Sequence, residues 1–354
     1  MFNNTSLKDL VMSKSITDAL TVETLTINNP DRSICYGSVC SGIEAASVAW
    51  SGLGWRPTWF AEIDPFCSEL LKQRYPGVPN LGDISSIRNP PNIDLLVGGT
   101  PCQSFSVNGL QRGMDDPRGQ LTFQFCRIAS ELRPEWIVWE NVPNVLQVDG
   151  GRAFGAFAGR LAECGYHLAY RVLDLRFFGI PQRRRRVFVV GHLGDWRRAA
   201  GVLFDPPART KNVSSLGKNE GTRQEHFPTP SLGIRLGFTG DTTPKFGLDC
   251  VPTLRSQQGG EGVGVIDARR IRRFSVLEWE RLMGFPDDYT RIAIRGKPAG
   301  NTARKHALGN SFPVPIVRWI GERIATVNAI AKGRTELLPI EPTVPQRLKD
   351  PAAH

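Results

Sequence analysis

Between residues 98 and 106 the chain reads GGTPCQSFS, which sets a thiol, Cys102, directly behind Pro101 in a stretch crowded with hydroxyl and amide side chains. A cysteine kept for packing belongs more often in an apolar run, whereas a thiol whose thiolate is stabilised is a nucleophile. Alone, the stretch admits either a nucleophile or a half-buried small residue in a tight turn. A second protonatable group, Glu140, stands in PEWIVWENV, and the run RRRR at 183–186 contributes Arg184 and Arg186. Together they would make a nucleophile, an acid and anion-binding guanidiniums. Gly42, in VCSGIEA, suits close backbone approach to a ligand. Glu62, in AEID, could accept hydrogen bonds from ribose hydroxyls, and Asp83, in LGDI, from an adenine amino group. Taken singly, Gly42 reads equally well as a plain tight turn, and a lone acid such as Glu62 or Asp83 is more often solvated than functional.

These residues need elements to position them. NIDLLVGG at 92–99 and PEWIVWENV at 134–142 are nearly unbroken apolar runs, the pattern of strands buried on both faces of a parallel sheet. SICYGSV predicts a first strand leading to a helix from near Ile43; WRPTWFAEID predicts a second strand, PFCSELLKQRY a helix and RRVFVVGHL a later strand. Strands alternating with helices predict a doubly wound α/β domain, whose ligands lie beyond the carboxyl ends of the strands. FSVLEWERLMGF predicts a helix capped by Ser275, with Glu278 completing a capping box. After residue 192 the composition turns to Gly, Pro, Thr, Asn and Arg, so 192–270 is expected to be a small separate unit. Residues 1–30 read as an extension, 31–191 with 271–335 as the main domain, and 336–354 as a disordered tail.

Bulk properties narrow the function classes. The 354 residues are 40% hydrophobic, and no apolar run approaches the roughly 18 residues of a membrane span. MFNNTSLKDLVMSKS lacks the basic-then-apolar layout of a secretory signal. Seven scattered cysteines without a CxxC pair, and five histidines, predict neither a disulfide scaffold nor a metal site and suit a reducing cytoplasm. The formal charge of +10, concentrated in RRRR at 183–186 and RRIRR at 269–273, predicts a polyanionic partner, nucleic acid first.

Taken in order, these motifs resemble those of the DNA (cytosine-5)-methyltransferases of bacterial and phage type. VCSGIEA is similar to the family's cofactor loop, AEID to its ribose-binding strand end and LGDI to its adenine-contacting segment. GGTPCQSFSVNG and DDPRGQLTFQF resemble the catalytic loop and the helix behind it. WENV, PQRRRRVFVVG, RRFSVLEWERLMGFP and KHALGNSFPVPIV follow, so the resemblance covers about 34–192 and 271–330. It implies a Rossmann-like S-adenosylmethionine-dependent methyltransferase fold with a mixed, mainly parallel sheet and a small target recognition domain at 192–270. The implied activity is methyl transfer to C5 of a cytosine flipped out of duplex DNA, through a covalent adduct between Cys102 and C6. Glu140 would steady N3 and the amino edge of the base, Arg184 would hold O2, and Arg186 would brace the catalytic loop or a phosphate. S-adenosylmethionine, leaving as S-adenosylhomocysteine, would be held by Gly42, Glu62, Asp83 and Asn310. Cys40 stands where the family usually has an aromatic residue against adenine, a contact that Ile63 could supply. Glu44 replaces a usual glycine and Asn108 a usual serine.

The resemblance also implies double-stranded DNA as partner, a monomer, and a setting compatible with a cognate restriction endonuclease. Gln103 and Ser106 would contact phosphates, Thr253 the nucleic-acid backbone, and Arg255, with Gln257 and Gln258, base edges. Two alternatives keep the fold. A tRNA cytosine-5 methyltransferase would carry a Cys-Phe-Thr element, which this sequence lacks. A catalytically silent DNA-binding relative would lose the thiol or the acids, and Cys102, Glu140, Glu62 and Asp83 are all present. A cytosine-4 or adenine-N6 enzyme would carry a DPPY- or SPPY-type loop in place of the cysteine; none is found.

Overall fold

The computed structural model describes residues 33–101, 120–204, 233–236, 246–247, 251–254, 262–267 and 270–333. Its centre is a six-stranded sheet of β1 (Cys35–Val39), β2 (Arg56–Ala61), β3 (Leu95–Gly98), β4 (Trp136–Asn141), β5 (Tyr166–Asp174) and β7 (Arg185–Leu193), in the order β2-β1-β3-β4-β7-β5. β2, β1, β3 and β4 run parallel, and β7 is antiparallel to both β4 and β5. This is the mixed, mainly parallel sheet of the Rossmann-like methyltransferase fold.

The apolar runs explain its burial. In β4 every residue is buried, and successive side chains go to opposite faces. Trp136 and Val138 join one core cluster; Ile137 and Trp139 join the other. β7 divides in the same way, with Phe188 and Val190 against Val187 and Val189. On the first face the helices α1 (Ala45–Trp50), α5 (Trp196–Leu203) and α8 (Val314–Ala331) contribute Trp50, Val202 and Ile320. On the second, α3 (Gln120–Leu132) and α4 (Arg152–Glu163) contribute Phe125 and Phe157. α2 (Pro65–Arg74) follows β2, with the Asp64 side chain capping it through the Cys67 amide.

α6 (Val276–Met283) carries the capping box that the sequence predicts, with Ser275 and Glu278 exchanging hydrogen bonds. It ends at Gly284, whose φ of 81° and whose closeness to Pro315, 2.5 Å from where a Cβ would lie, both require glycine. α7 (Asn301–Asn310) then leads into α8. A hairpin of β13 (Ala293–Ile294) and β14 (Lys297–Pro298) joins α6 to α7.

A second sheet of four antiparallel strands comprises β8 (Gly233–Leu236), β9 (Phe246–Gly247), β11 (Gly262–Asp267) and β12 (Arg270–Arg273). The change of composition at 192 does not coincide with a break in the fold. β7 continues to Leu193, and α5 buries Ala199, Val202 and Leu203 in the main core. The segment 251–254 also returns to the main unit, where β10 (Val251–Pro252) pairs with β6 (Gln182–Arg183). The expected extension at 1–30 and tail at 336–354 lie outside the described residues.

Candidate active site

Parallel register brings the chemistry to one edge. Val39 pairs with Ala61 and with Gly98, and Gly98 pairs with Trp139. The next residues along these four strands, Cys40, Glu62, Gly99 and Glu140, therefore form a row at their carboxyl ends. Sequence reasoning names three of the four. Gly99 is the fourth, and its lack of a side chain matters: a Cβ there would lie 2.6 Å from the Phe312 ring and 3.1 Å from Glu140 Oε2. Phe312, like Gly99, went unnoticed in the sequence, where it is one more apolar residue in a motif.

Glu140 is 8% exposed. Its Oε1 lies 2.9 Å from Arg186 Nε, forming an ion pair. Burial pushes the Glu140 carboxyl up from the usual carboxylate range, and Arg186 and Arg184 oppose that shift without cancelling it. The group can therefore hold a proton where an ordinary glutamate would have lost it.

The two arginines differ in what they touch. Arg184 is 1% exposed, and its guanidinium donates to the carbonyls of Leu254 at 2.8 Å, Gly309 at 3.0 Å and Ser311 at 2.7 Å. Those three bonds commit both N–H groups of Nη2 and one of Nη1 to backbone carbonyls. Arg186 is the arginine beside Glu140. The pair shares one parity in the sequence, but Arg184 falls between β6 and β7 and so escapes strand alternation.

Cys102, Gln103, Ser106 and Arg255 lie outside the described residues. The chain just before Cys102 is held tightly. Thr100 is buried; its hydroxyl meets Thr122 Oγ1 at 2.9 Å and accepts from Trp139 Nε1 at 3.1 Å. Its carbonyl accepts from Asn141 Nδ2 at 2.8 Å. Thr100 and Asn141 are anchors that sequence reasoning missed, although each adjoins a residue it chose. Among the described cysteines, burial pushes Cys67 and Cys126 far above the usual thiol range. Burial, then Glu62 and Asp83, pushes Cys40 up to about 12. These three thiols are poor nucleophiles.

The opposite end of the row has the character of a cofactor site. Gly42 has φ +55° and open space where a Cβ would stand, and its amide donates to Glu62 Oε2 at 2.6 Å. Glu62 Oε1 accepts from the amides of Ile63 and Asp64, at 2.8 and 2.7 Å. Ile63 is 71% exposed, an apolar surface left beside these acids. Asp83 is exposed and accepts from the Ser85 amide at 2.8 Å. A bare glycine loop, two carboxylates and an uncovered apolar side chain fit a ligand with ribose hydroxyls, an adenine ring and positive charge. Asn310, exposed at the end of α7, is held by Arg184 through the carbonyls on either side of it.

Glu44 is a further departure with structural consequences. It caps α1 in the left-handed region, φ 60°, and accepts from the amide and hydroxyl of Ser47, each at 3.1 Å. Burial raises its carboxyl to about 7. Thr253, expected to meet the nucleic-acid backbone, donates its hydroxyl to the Arg183 carbonyl. Among the described residues, no group of three or more His, Cys, Asp or Glu could hold a metal ion, and no helix is long and apolar enough to cross a membrane.

The chain is similar to known methyltransferases. The family profile for C-5 cytosine-specific DNA methylases matches residues 36–230 and 237–326. The type II methyltransferase M2.BsuMI of Bacillus subtilis is 31% identical, over 81% of this chain and 74% of its own length. A phage P1 protein named as a DNA N-6-adenine-methyltransferase is 28% identical over 83% of this chain, which spans 61% of that relative's length. Among solved structures, a putative DNA modification methyltransferase from an Escherichia coli prophage aligns with a TM-score of 0.57. It covers 84% of this chain and 99% of its own at 19% identity, a likeness of fold.

Proposed function

This chain belongs to the C-5 cytosine-specific DNA methylase family, and from that premise we propose that it methylates C5 of a cytosine rotated out of duplex DNA at a defined sequence. The observation that carries the proposal is the row at the strand ends. Its Glu140–Arg186 pair faces Gly99, three residues before Cys102, while Gly42 and Glu62 form the cofactor cradle two strands away.

C5 of cytosine is too electron-poor to take a methyl group unaided. The Cys102 thiolate supplies an electron pair to C6, and the ring's C5–C6 π electrons become available at C5. Glu140, carrying a proton, donates to N3 and neutralises charge that develops on the ring. Arg186, paired with Glu140 at the strand ends, would hold the base O2. S-adenosylmethionine, held by Gly42, Glu62, Asp83, Ile63 and Asn310, supplies the methyl group when bound. After transfer, C5 loses its proton to a base and the C5–H electrons re-form the C5–C6 double bond. Cys102 leaves with the electrons of its bond to C6, regenerating the thiolate. The target must leave the base stack for any of this, because C6 is otherwise covered.

The name of the phage P1 relative raises an adenine-N6 alternative for this chain. The residues here favour cytosine: a thiol follows the strand-end proline, and no DPPY- or SPPY-type loop is present. Recognition of a particular sequence by the 192–270 region, and a restriction endonuclease acting at the same sequence, are further parts of this reading. Sequence recognition is supported by the separate antiparallel sheet and the basic run at 269–273. Mass spectrometry of nucleosides from DNA and from tRNA incubated with the protein and labelled S-adenosylmethionine tests the assignment. Labelled 5-methylcytosine from DNA supports it; label in N6-methyladenine, or in tRNA alone, overturns it.

A further inference from the structure

Gln182 and Arg184 are buried polar side chains, 0% and 1% exposed, that the proposed chemistry leaves unused. Between them they tie three parts of the chain together. Gln182 Nε2 donates to the Leu282 carbonyl at 2.7 Å, and its Oε1 accepts from the Leu254 amide at 3.1 Å. Arg184 grips the Leu254 carbonyl on one side and, on the other, the carbonyls of Gly309 and Ser311 that flank Asn310. Its Nε has no hydrogen-bond partner. A buried guanidinium held by carbonyls carries a desolvation cost that an aliphatic side chain would avoid. What it supplies instead is a rigid planar fork reaching two segments at once.

We propose that Arg184 is a positioning residue that couples the cofactor-side turn at Asn310 to the segment Val251–Leu254, so that filling the cofactor site steadies the segment from which β11 and β12 depart. The proposal rests on the cofactor reading above. Its geometry is one guanidinium bound to the Leu254 carbonyl on one side and to the Gly309 and Ser311 carbonyls on the other, so a shift of the Asn310 turn is felt at Leu254 through it. Coupling of this kind is a free energy shared by two places and is read as a change at one on filling the other.

Amide hydrogen exchange of the full chain, with and without S-adenosylhomocysteine, tests it. In the wild type the ligand is expected to slow exchange at Gly42 and Ile63 and also at 251–254, the latter by about fivefold or more. Arg184→Lys keeps the charge but replaces the fork with a single ammonium. This variant should retain the slowing at Gly42 and Ile63 and lose it at 251–254. A wild type protected at Gly42 and Ile63 but unchanged at 251–254 overturns the coupling. Equal slowing at 251–254 in wild type and Arg184→Lys removes Arg184 from it. No protection at Gly42 or Ile63 in the wild type overturns the cofactor reading itself, and the coupling with it. Gln182→Leu serves as the second variant should Arg184→Lys not fold. It cuts the other tether and should exchange faster at Leu254 while keeping the ligand response at Val251. Loss of that response places the coupling in Gln182 and contradicts the assignment.

Discussion

Glu140 and Glu44 are both buried carboxyls raised by desolvation, but their surroundings differ. Glu140 has Arg186 at 2.9 Å, whereas Glu44 is faced by Ser47, Tyr36, Tyr75 and Glu62. The Glu44 carboxyl, moved from 4.5 to about 7, holds its proton in the folded chain at a pH where the unfolded chain has lost it. Its stabilising contribution is complete below pH 4.5 and is lost as pH rises through about 7, a change of roughly 3 kcal/mol. Glu44→Gln keeps an oxygen to cap Ser47 and cannot ionise. Thermal unfolding should therefore show the variant gaining on the wild type between pH 5 and pH 8.5; a constant difference across that range would mean that Glu44 does not titrate there. At Glu140 the expected effect is on turnover. Glu140→Gln retains a hydrogen-bonding edge but has no proton to give, so kcat should fall by about 100-fold or more. Affinity for S-adenosylhomocysteine, measured by calorimetry, should stay within about twofold, because Glu140 stands two strands from Gly42. A large loss of affinity with turnover preserved would move Glu140 into the cofactor site. Cys40, Glu62 and Glu140 of this row were legible in the sequence as polar residues at strand ends. Gly99 was not, because its need to lack a side chain comes from Phe312, distant in sequence. The division of labour between Arg184 and Arg186 was not legible either, since it depends on where one strand stops and the next begins.

At the scale of elements, the approach to Cys102 depends on β3, β4 and α3 converging on Thr100. Thr100→Val preserves shape but removes the hydroxyl that Thr122 and Trp139 Nε1 use. The buried indole N–H then loses the hydroxyl that accepts from it, at a cost of about 1–3 kcal/mol measurable by denaturant unfolding. Turnover should fall with it, because the exit of β3 loses two of its fixings; unchanged stability and turnover would show that the carbonyl bond from Asn141 suffices. The capping box of α6 was readable from Ser275 and Glu278 alone, as local chemistry usually is. In the structure Glu278 also takes a two-point ion pair from Arg272, at 2.8 and 2.9 Å, which joins α6 to β12. Ser275→Ala should lower stability by about 1 kcal/mol while leaving that ion pair in place. The change of composition at 192 falls just before α5, whose buried side, Ala199, Val202 and Leu203, packs in the main core.

For the molecule as a whole, the doubly wound sheet was visible in the sequence through β3 and β4, since only strands covered on both faces tolerate such apolar runs. The convergence of Arg184, Leu254 and Ser311 was not, because those residues are 70 and 127 positions apart in sequence and no local pattern records the contact. The account as a whole predicts one covalent event. Duplex DNA carrying 5-fluorocytosine should arrest the enzyme after methyl transfer, since fluorine at C5 cannot leave as a proton does. The most direct measurement is therefore denaturing electrophoresis of the protein incubated with tritiated S-adenosylmethionine and a 5-fluorocytosine duplex library. A labelled protein–DNA band that disappears in Cys102→Ala is the predicted result, and the captured duplexes would share one sequence. A catalytically active preparation that forms no such band, or a Cys102→Ala protein that still forms it, would contradict the covalent cytosine-5 mechanism.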